Sequence, residues 1–371
     1  MTLKTIILFL IAFLVGSDEF LLGPILTPIG ADLGVPPERV TLFIGAYALP
    51  LAICAPFLGG LSDRIGRRVV ILPAVALFSL GSLGTALAGG FWTALLTRAV
   101  TGLGAAGMLP VAFALAADSG HAARNIAAVQ AGLTSGIILA PVYGAAMTGA
   151  FGWHTAFVGL AFAGALTAIA ASRIGDDPVP QAPQSATGRV LVKGALPAIL
   201  AMGLGLGGAI GIYALAGERL RELTALNTRE IGFVYAGFGL LTLAGNLSMP
   251  RLIGRFRDGR QLMFLCMAGV LLAVAALFSI PLGLAGAMLL MAVWAWLGGL
   301  GAPGLQSYLA GLSERHRGVL MALGSSAMNL GVALWSGLAA LLFAQSSLLV
   351  AGLAVALIGA SLVALRRPTS R

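Results

Sequence analysis

Three ionisable side chains lie inside long apolar stretches of the sequence, where charge is rare. Asp18 and Glu19 are adjacent in the first stretch, and Arg98 lies in the fourth. An ionised side chain at the centre of a bilayer costs about 2.5–3.5 kcal/mol on insertion scales. Groups held there are expected to have partners or a function. Two carboxyls beside one guanidinium can take up, hold and release a proton.

Geometry favours Glu19 as the proton carrier of this group. At the helical rise per residue, Glu19 lies about 15 Å from the outer end of its helix and Arg98 about 10 Å from the outer end of its own. An ion pair between them across a cavity is therefore feasible. Because adjacent helical residues point about 100° apart, Asp18 cannot face the same partner. We expect Asp18 to be a second titrating or orienting group.

The proton would be captured or released when the surroundings of that pair change. Burial favours a neutral carboxyl, and a nearby arginine favours an ionised one. A substrate that displaced Arg98, or a conformation that separated the pair, would therefore move the proton. The alternative is a static ion pair that only joins the first and fourth helices.

A second group of charges forms a short turn between two uncharged apolar runs. Its members are Gly59, Asp63, Arg64, Gly66, Arg67 and Arg68. We expect the first glycine to allow close helix approach, the second to allow a sharp turn, and the arginines to hold the turn in the cytoplasm. Asp63 with Arg67, and Asp118 with Arg124, would form a cytoplasmic gate. The alternative is that these charges only anchor the topology.

Twelve membrane-spanning helices are needed to position these groups. The 371-residue chain is 59% hydrophobic and 9% charged, with a mean hydropathy of +0.99, whereas soluble domains have about 25% charged residues. A spanning helix needs about 20 apolar residues, and continuous apolar runs indicate helices rather than a barrel. The predicted spans are 5–29, 40–60, 69–90, 92–117, 126–150, 154–173, 194–217, 229–250, 261–281, 284–312, 319–344 and 346–365.

The basic residues set the predicted orientation. Most of the 22 Lys and Arg side chains fall in segments assigned to the cytoplasm, which places both termini there. The net charge of +9 therefore reflects membrane orientation and not a nucleic-acid partner. We expect a multi-pass protein of a bacterial cell inner membrane that functions as a monomer.

One long polar stretch divides the spans into two sets of six. Residues 174–193 are rich in proline and polar side chains, which is the composition of an unstructured linker, here a cytoplasmic one. We predict an all-helical membrane fold with one six-helix bundle at 1–173 and a second at 194–371. Two such bundles can rock against each other around a site at the membrane midplane.

Other polar and aromatic groups within the spans are candidates for lining a substrate cavity. They are Tyr47, Gln130, Tyr213, Asn246, Gln306, Asn329 and Trp335. Each of them could equally be structural. In the fifth span, Pro141 with Gly136 and Gly144 predicts a helix that bends and packs closely, which in membranes often reflects packing alone.

Several of these patterns resemble signatures of the major facilitator superfamily. Residues 59–71 match its loop 2–3 pattern, Gly-x-Leu-x-Asp-Arg-x-Gly-Arg-Arg-x-x-Ile, and residues 95–107 resemble its fourth-helix motif, an intramembrane arginine before a glycine-rich face. Residues 136–145 resemble the fifth-helix motif of antiporters, with alanine in place of two of its glycines. Residues 152–157 resemble the exporter motif Gly-Trp-Arg-x-x-Phe, in which this chain has His154 instead of arginine.

The first helix resembles one branch of that family. Residues 16–20 and 29–35 are similar to the first helix of the drug:proton antiporter branch, especially its sugar- and nucleoside-efflux members. The resemblance implies the twelve-helix major facilitator fold and identifies Glu19 with the family's acid. It also implies that Asp63 faces the amino end of the eleventh helix near Gly318, where the charge cluster would latch the outward-facing state.

Together these features predict a proton-coupled secondary transporter that exports small organic molecules by alternating access. The cargo could be a drug, a sugar, a nucleoside-like compound or a metabolite, and the proton gradient would supply the energy. No Walker loop, zinc motif or nucleophile elbow is present, so we expect no enzymatic activity, no metal and no cofactor. Two alternatives stay open: a proton-coupled importer of a small metabolite, and a transport-incompetent receptor or scaffold on the same fold.

Overall fold

The computed structural model describes residues 2–173, 192–313 and 316–366, apart from the side chains of Ala123, Arg317 and Gly318. Within these ranges the regular structure is entirely helical. The α-helices are α1 (Leu3–Phe20), α2 (Leu26–Leu33), α3 (Pro37–Val40), α4 (Leu42–Ile65), α5 (Arg67–Ala86), α6 (Phe91–Ala117), α7 (Ala122–Phe151), α8 (His154–Ala171), α9 (Ala195–Leu200), α10 (Gly207–Tyr213), α11 (Ala216–Leu223), α12 (Thr228–Leu252), α13 (Gly259–Ser279), α14 (Leu284–Gly311), α15 (Arg317–Phe343) and α16 (Ser347–Arg366).

Twelve helical segments in the described part of the chain are long and apolar enough to cross a bilayer. The predicted fold class and number of spans are therefore confirmed. The first span runs over Leu3–Leu33 and is interrupted after α1, with a 3₁₀ turn at Gly23–Ile25 before α2. Pro24 explains the interruption, because proline lacks the N–H that a helix interior needs and its ring clashes with the preceding turn.

The seventh span ends earlier than the predicted boundary at residue 217. It covers Ala195–Tyr213 and contains α9, a π-helical segment at Ala201–Leu206, and α10. The chain then forms the separate short helix α11, which the sequence did not reveal. Tyr235 in α12 holds this break: its hydroxyl donates to the carbonyl of the last residue of α10 at 3.0 Å and accepts from the N–H of Gly217 at 2.8 Å.

The chain divides into two compact units, unit 1 at residues 1–185 with α1–α8 and unit 2 at residues 186–371 with α9–α16. In unit 1, α1 packs on α7, α4 and α5 both pack on α6, and α5 also packs on α8. In unit 2, α10 packs on α15, α12 and α13 both pack on α14, and α13 also packs on α16. In both units, therefore, the first span packs on the fifth, the second and third spans pack on the fourth, and the third also packs on the sixth. Most of the predicted linker at 174–193 lies outside the described residues, so the bundle boundaries stay a prediction.

Glycines allow the closest helix contacts in both units. A Cβ placed on Gly136 in α7 would lie 2.6 Å from the backbone nitrogen of Ser17 in α1. In unit 2, a Cβ on Gly299 in α14 would lie 2.8 Å from the Cα of Thr242 in α12. Any larger residue at these positions would push the paired helices apart, which is the usual role of small residues in membrane helix packing.

Candidate functional site

A buried ion pair joins α1 to α6 in unit 1. Nη1 of Arg98 donates to both carboxylate oxygens of Asp18, at 2.7 Å each, and the two side chains are 1% and 0% exposed. The predicted pairing of Arg98 with Glu19 is therefore wrong. The reason is the 100° step between neighbouring helical residues, which turns Asp18 and not Glu19 toward α6.

Two aromatic rings enclose the guanidinium of Arg98. Its Cζ lies 4.9 Å from the ring centre of Tyr47 in α4 and 5.6 Å from that of Phe157 in α8. At these distances the π face of each ring attracts the cation. Nε of Arg98 and the hydroxyl of Tyr47 are buried and have no hydrogen-bond partner among the described residues. Sequence reasoning selected Tyr47 but missed Phe157, although Phe157 ends the exporter-like motif at 152–157.

Glu19 is the carboxyl without an ion pair. It is partly exposed, and the described residues offer it neither a hydrogen bond nor a salt bridge. The Asp18–Arg98 pair is neutral as a whole, so an ionised Glu19 adds one net negative charge. Glu19 can therefore gain or lose a proton without breaking the pair. We call Asp18, Glu19 and Arg98 the ion-pair site.

The described residues contain no group of three or more His, Cys, Asp or Glu side chains that could hold a metal ion. The chemistry that the ion-pair site offers is proton binding and the exchange of charged partners. Which of its two carboxyls carries a proton during function stays a prediction.

Arg67 organises the charged turn between α4 and α5. Its guanidinium forms ion pairs with Asp63 and with Asp118, the latter at 3.0 Å from Nε to Oδ2. Nη1 of Arg67 also donates to the hydroxyl of Ser62 at 2.8 Å. Gly66 has a φ of +103°, a region that L side chains rarely adopt. The predicted sharp turn at this glycine is confirmed.

Two expectations for this charged turn are wrong. Asp118 pairs with Arg67, whereas Arg124 is exposed and has no ion pair among the described side chains. Gly59 is not a point of close helix approach, because a Cβ there would lie 3.9 Å from its nearest neighbour, the Cβ of Pro110. That is an ordinary van der Waals distance, so alanine would fit.

Other expectations for the turn keep their status as predictions. Arg64 is exposed, as an anchoring residue would be. The side chains described do not include Gly318, so the expected contact of Asp63 with the eleventh span near this residue stays a prediction. The gating role of the cluster is therefore a prediction that the contacts of Arg67 do not test.

We call the end of unit 1 that contains the α4–α5 turn the arginine end. Further polar contacts there join segments that are distant in the sequence. Nη2 of Arg68 donates to the carbonyl of Ser172, just after α8, at 2.6 Å. Asn125 in α7 is 2% exposed; it accepts from the hydroxyl of Thr5 in α1 at 2.7 Å and donates to that of Ser119 at 2.8 Å. Sequence reasoning missed Asn125, because its partner in α1, Thr5, is 120 residues away in the sequence.

The fifth-span motif packs α7 on α1. Gly136 lies against the α1 backbone, and a Cβ on Gly144 would lie 2.8 Å from the side chain of Leu21. Pro141 is buried, and α7 continues through it from Ala122 to Phe151. The contacts of the two glycines are those of close helix packing, and a functional role of the motif stays a prediction.

Two of the predicted cavity residues are engaged in helix contacts of unit 2. The side-chain amide of Asn329 donates to the carbonyl of Ser325 one turn earlier, at 3.0 Å. The indole of Trp335 donates to the carbonyl of Gly203 in the π-helical segment, at 3.2 Å. Besides Tyr47, the candidates without a side-chain hydrogen bond in the described structure are the exposed Gln130 and the partly buried Asn246 and Gln306.

Tyr213 belongs to an aromatic cluster in unit 2. Its ring centre lies 4.7 Å from Tyr235, 4.3 Å from Phe238 and 5.7 Å from Trp294. Tyr213 and Trp294 are buried and Phe238 is partly exposed. The sequence analysis selected Tyr213 alone, because its three partners lie in α12 and α14 and share no local motif with it.

Unit 2 also buries an arginine in α11, beyond its spans. Arg219 is 8% exposed, donates to the carbonyl of Leu277 at 3.0 Å and pairs with Glu222 at 2.9 Å. Leu277 lies in the last turn of α13, where carbonyl groups lack partners within the helix. Arg219 therefore caps α13, a role that its sequence neighbours do not indicate.

In the described part of the chain, twelve helical spans in two units with equivalent span pairing form the architecture of a multi-pass membrane protein. The chain belongs to the Major Facilitator Superfamily, because the sequence model of that family matches residues 8–216, more than half of the chain. The resemblance inferred from the sequence motifs is confirmed at the level of the family.

Individual relatives are also transporters. The chain is 26% identical over 353 residues to the uncharacterized MFS-type transporter YbcL of Bacillus subtilis, with 91% of this chain and 88% of YbcL covered. It is 31% identical over 150 residues to the quinolone resistance protein NorA of Staphylococcus aureus, which covers 40% of this chain and 39% of NorA. Among solved structures, the nucleoside transporter NupG matches with a TM-score of 0.79 and 15% identity over 99% of this chain and 100% of that chain, a likeness of fold.

Proposed function

We propose that this protein is a proton-coupled secondary transporter that exports small organic molecules by alternating access. The observation that carries the proposal is the ion-pair site, in which the buried, neutral Asp18–Arg98 pair joins α1 to α6 and the unpaired Glu19 follows Asp18 in α1. Ionisable residues inside a membrane domain are costly and usually mark ion or proton pathways. The cell inner membrane, cytoplasmic termini and a monomeric state belong to the same proposal.

In this mechanism Arg98 balances Asp18, and Glu19 exchanges the proton. With Glu19 protonated, the three side chains carry no net charge. With Glu19 ionised, they carry one negative charge, which favours a neutral cargo rich in hydrogen-bond donors, or a cationic cargo. Binding of such a cargo would displace the proton from Glu19, and reprotonation from the other side of the membrane would release the cargo. Arg98 keeps the site from gaining a second negative charge.

The similarity to NorA supports export of drug-like compounds, since NorA is named for quinolone resistance and matches part of this chain. The antiporter-like motif in α7 supports the same direction through its resemblance alone, because its contacts here are those of packing. The family relationship supports a transporter and not an enzyme.

Proton release by the purified protein tests the coupling. A quinolone and a set of nucleosides would be added as probes in weakly buffered solution, to the wild type, to Glu19→Gln and to Glu38→Gln. The last variant is a matched control, because it makes the same change in the short helix α3. We expect release from the wild type and the control and none from Glu19→Gln. Equal release from all three would exclude Glu19 as the carrier.

The direction of transport is tested in inverted vesicles with an acidic lumen. An exporter should accumulate the active probe in these vesicles, and an importer should deplete it. A receptor or scaffold on the same fold should do neither, and Glu19→Gln should then leave probe flux unchanged.

A further inference from the structure

At the end of unit 1 opposite the arginine end, α2 contacts the turn between α7 and α8. The indole N–H of Trp153 donates to Oδ2 of Asp32 at 2.9 Å, and Nε2 of His154 lies 3.7 Å from the same oxygen. Asp32 belongs to the last turn of α2, and His154 is the first residue of α8. One carboxylate therefore faces an indole donor and an imidazole together.

The imidazole of His154 is also stacked on an aromatic ring. The ring centres of Trp153 and His154 are 3.9 Å apart, with their planes inclined by 28°. Trp153 is 2% exposed, whereas the side chains of His154 and Asp32 are 40% and 52% exposed. The imidazole can therefore exchange protons with its surroundings while it lies against a fixed ring.

We propose that His154 and Asp32 form a second proton-binding site of unit 1, separate from the ion-pair site. The unprotonated ring nitrogen of His154 takes a proton from solvent. The resulting cation is attracted both to the Asp32 carboxylate and to the π face of Trp153. Without the proton, both attractions are lost and Asp32 keeps only its hydrogen bond to Trp153. This inference goes beyond the proposed function, because it requires no transport.

Of the other helices packed on α8, α1 carries Asp18, which is paired with Arg98, and Glu19. From α7, the hydroxyl of Tyr143 donates to the carbonyls of the second and third residues of α8, at 3.4 and 3.3 Å. The adjacent end of α5 carries no ionisable side chain. In α3, Arg39 lies over the aromatic rings at the start of α6, and Glu38 forms no ion pair with His154. Asp32 is therefore the carboxylate that responds to the proton.

The stacked pair is connected to the ion-pair site through α8. The ring of Trp153 meets the ring of Phe157 edge-on at 5.9 Å, and Phe157 lies 5.6 Å from the guanidinium of Arg98. Proton binding at His154 attaches the start of α8 more firmly to the end of α2.

Tryptophan fluorescence tests the site directly, because a protonated imidazole stacked on an indole quenches its emission. The protein would retain Trp153 as its only tryptophan, with four residues replaced by phenylalanine: Trp92, Trp294, Trp296 and Trp335. We expect the emission to fall as the pH is lowered and the imidazole binds a proton. His154→Gln should abolish the change. His154→Arg should abolish the change as well, because arginine keeps its charge at every pH used.

A second measurement assigns the carboxylate. Lower pH should raise the unfolding temperature of the wild type relative to that of His154→Gln, and Asp32→Asn should remove this difference. If the variant with one tryptophan cannot be purified, the wild type would be studied by NMR instead. The ring nitrogen signals of its three histidines would then report proton binding. Emission that is independent of pH, or an unchanged pH effect in Asp32→Asn, would overturn the proposal. Proton release by the Glu19 assay is expected to persist in His154→Gln, so this inference and the proposed function fail separately.

Discussion

Units 1 and 2 pair their spans in the same way but bury charge in different places. Unit 1 has the neutral pair Asp18–Arg98 inside its spans, enclosed by aromatic rings. Unit 2 has its buried arginine beyond the spans, in α11, where Arg219 caps the end of α13. The described spans of unit 2 carry Asp, Glu, Lys and Arg only near their ends.

This difference indicates that buried charge has a chemical role in unit 1 and a stabilising role in unit 2. A charge inside a span cannot be relieved by water, so breaking the unit 1 pair must be accompanied by a proton or a new partner. A charge at a helix end stabilises carbonyl groups that would otherwise lack donors. We therefore expect proton-dependent behaviour to depend on unit 1, and substitutions of buried charge in unit 2 to affect stability alone.

The largest effect is expected for Asp18→Asn, which leaves Arg98 buried without a counter-charge. Removing one partner of a buried ion pair costs about 3–5 kcal/mol, so the unfolding temperature in detergent should fall steeply. The double variant Asp18→Leu with Arg98→Met should recover much of that loss, because it removes both charges. If the single variant were as stable as the wild type, the contrast between the units would not hold.

A smaller loss in the free energy of unfolding is expected for Arg219→Met in unit 2. It removes bonds from a charged donor to the carbonyls of Leu277 and Ile280, and such bonds contribute about 1.5–3 kcal/mol. Arg124→Met is the matched control, because Arg124 is exposed and has no described ion pair; it should change the free energy of unfolding by less than about 0.5 kcal/mol. Loss of probe-induced proton release in Arg219→Met would show that unit 2 charges also take part in coupling.

Replacing one buried tyrosine in each unit by phenylalanine compares a hydroxyl that has hydrogen-bond partners with one that has none. Tyr235→Phe in unit 2 removes a hydroxyl that bonds to Tyr213 and Gly217, and should destabilise by about 1–3 kcal/mol. Tyr47→Phe in unit 1 removes a buried hydroxyl without a partner and keeps the ring over Arg98, so it should be neutral or slightly stabilising. Chemical unfolding of both variants measures the difference, and equal losses would mean that the Tyr47 hydroxyl has a partner.

The smallest loss of stability is expected for the partner of Arg67 in unit 1 and for the residue that begins the third span of unit 2. Asp118→Asn removes a partner of Arg67 that is 38% exposed, and exposed ion pairs contribute about 0.2–1 kcal/mol. In unit 2, Asp258 caps α13 by accepting from the N–H of Gln261 at 2.7 Å, a bond that asparagine can replace. The loss in Asp118→Asn should shrink in high salt. Asp258→Asn should show a smaller loss, because the ion pair that it removes, with Arg260, is longer, at 3.9 Å.

The sequence by itself determined the twelve spans, the positive φ at Gly66 and the presence of Asp18, Glu19 and Arg98 within the membrane. These features depend on local properties: the length of an apolar run, the conformational freedom of glycine, and the depth of a residue along a helix. The family followed from motifs of the same local kind. The helices α3 and α11 were missed because they are short, and α11 is also held by contacts with distant residues such as Leu277.

Only the tertiary structure decided which side chains meet. Asp18 and not Glu19 binds Arg98, Asp118 binds Arg67 and not Arg124, and Gly59 has room for a methyl group where Gly136 has none. A helix that is apolar on every side has no hydrophobic face that reveals its rotation. The rotation of α1, and with it the partner of Arg98, is set by packing against α6 and α7.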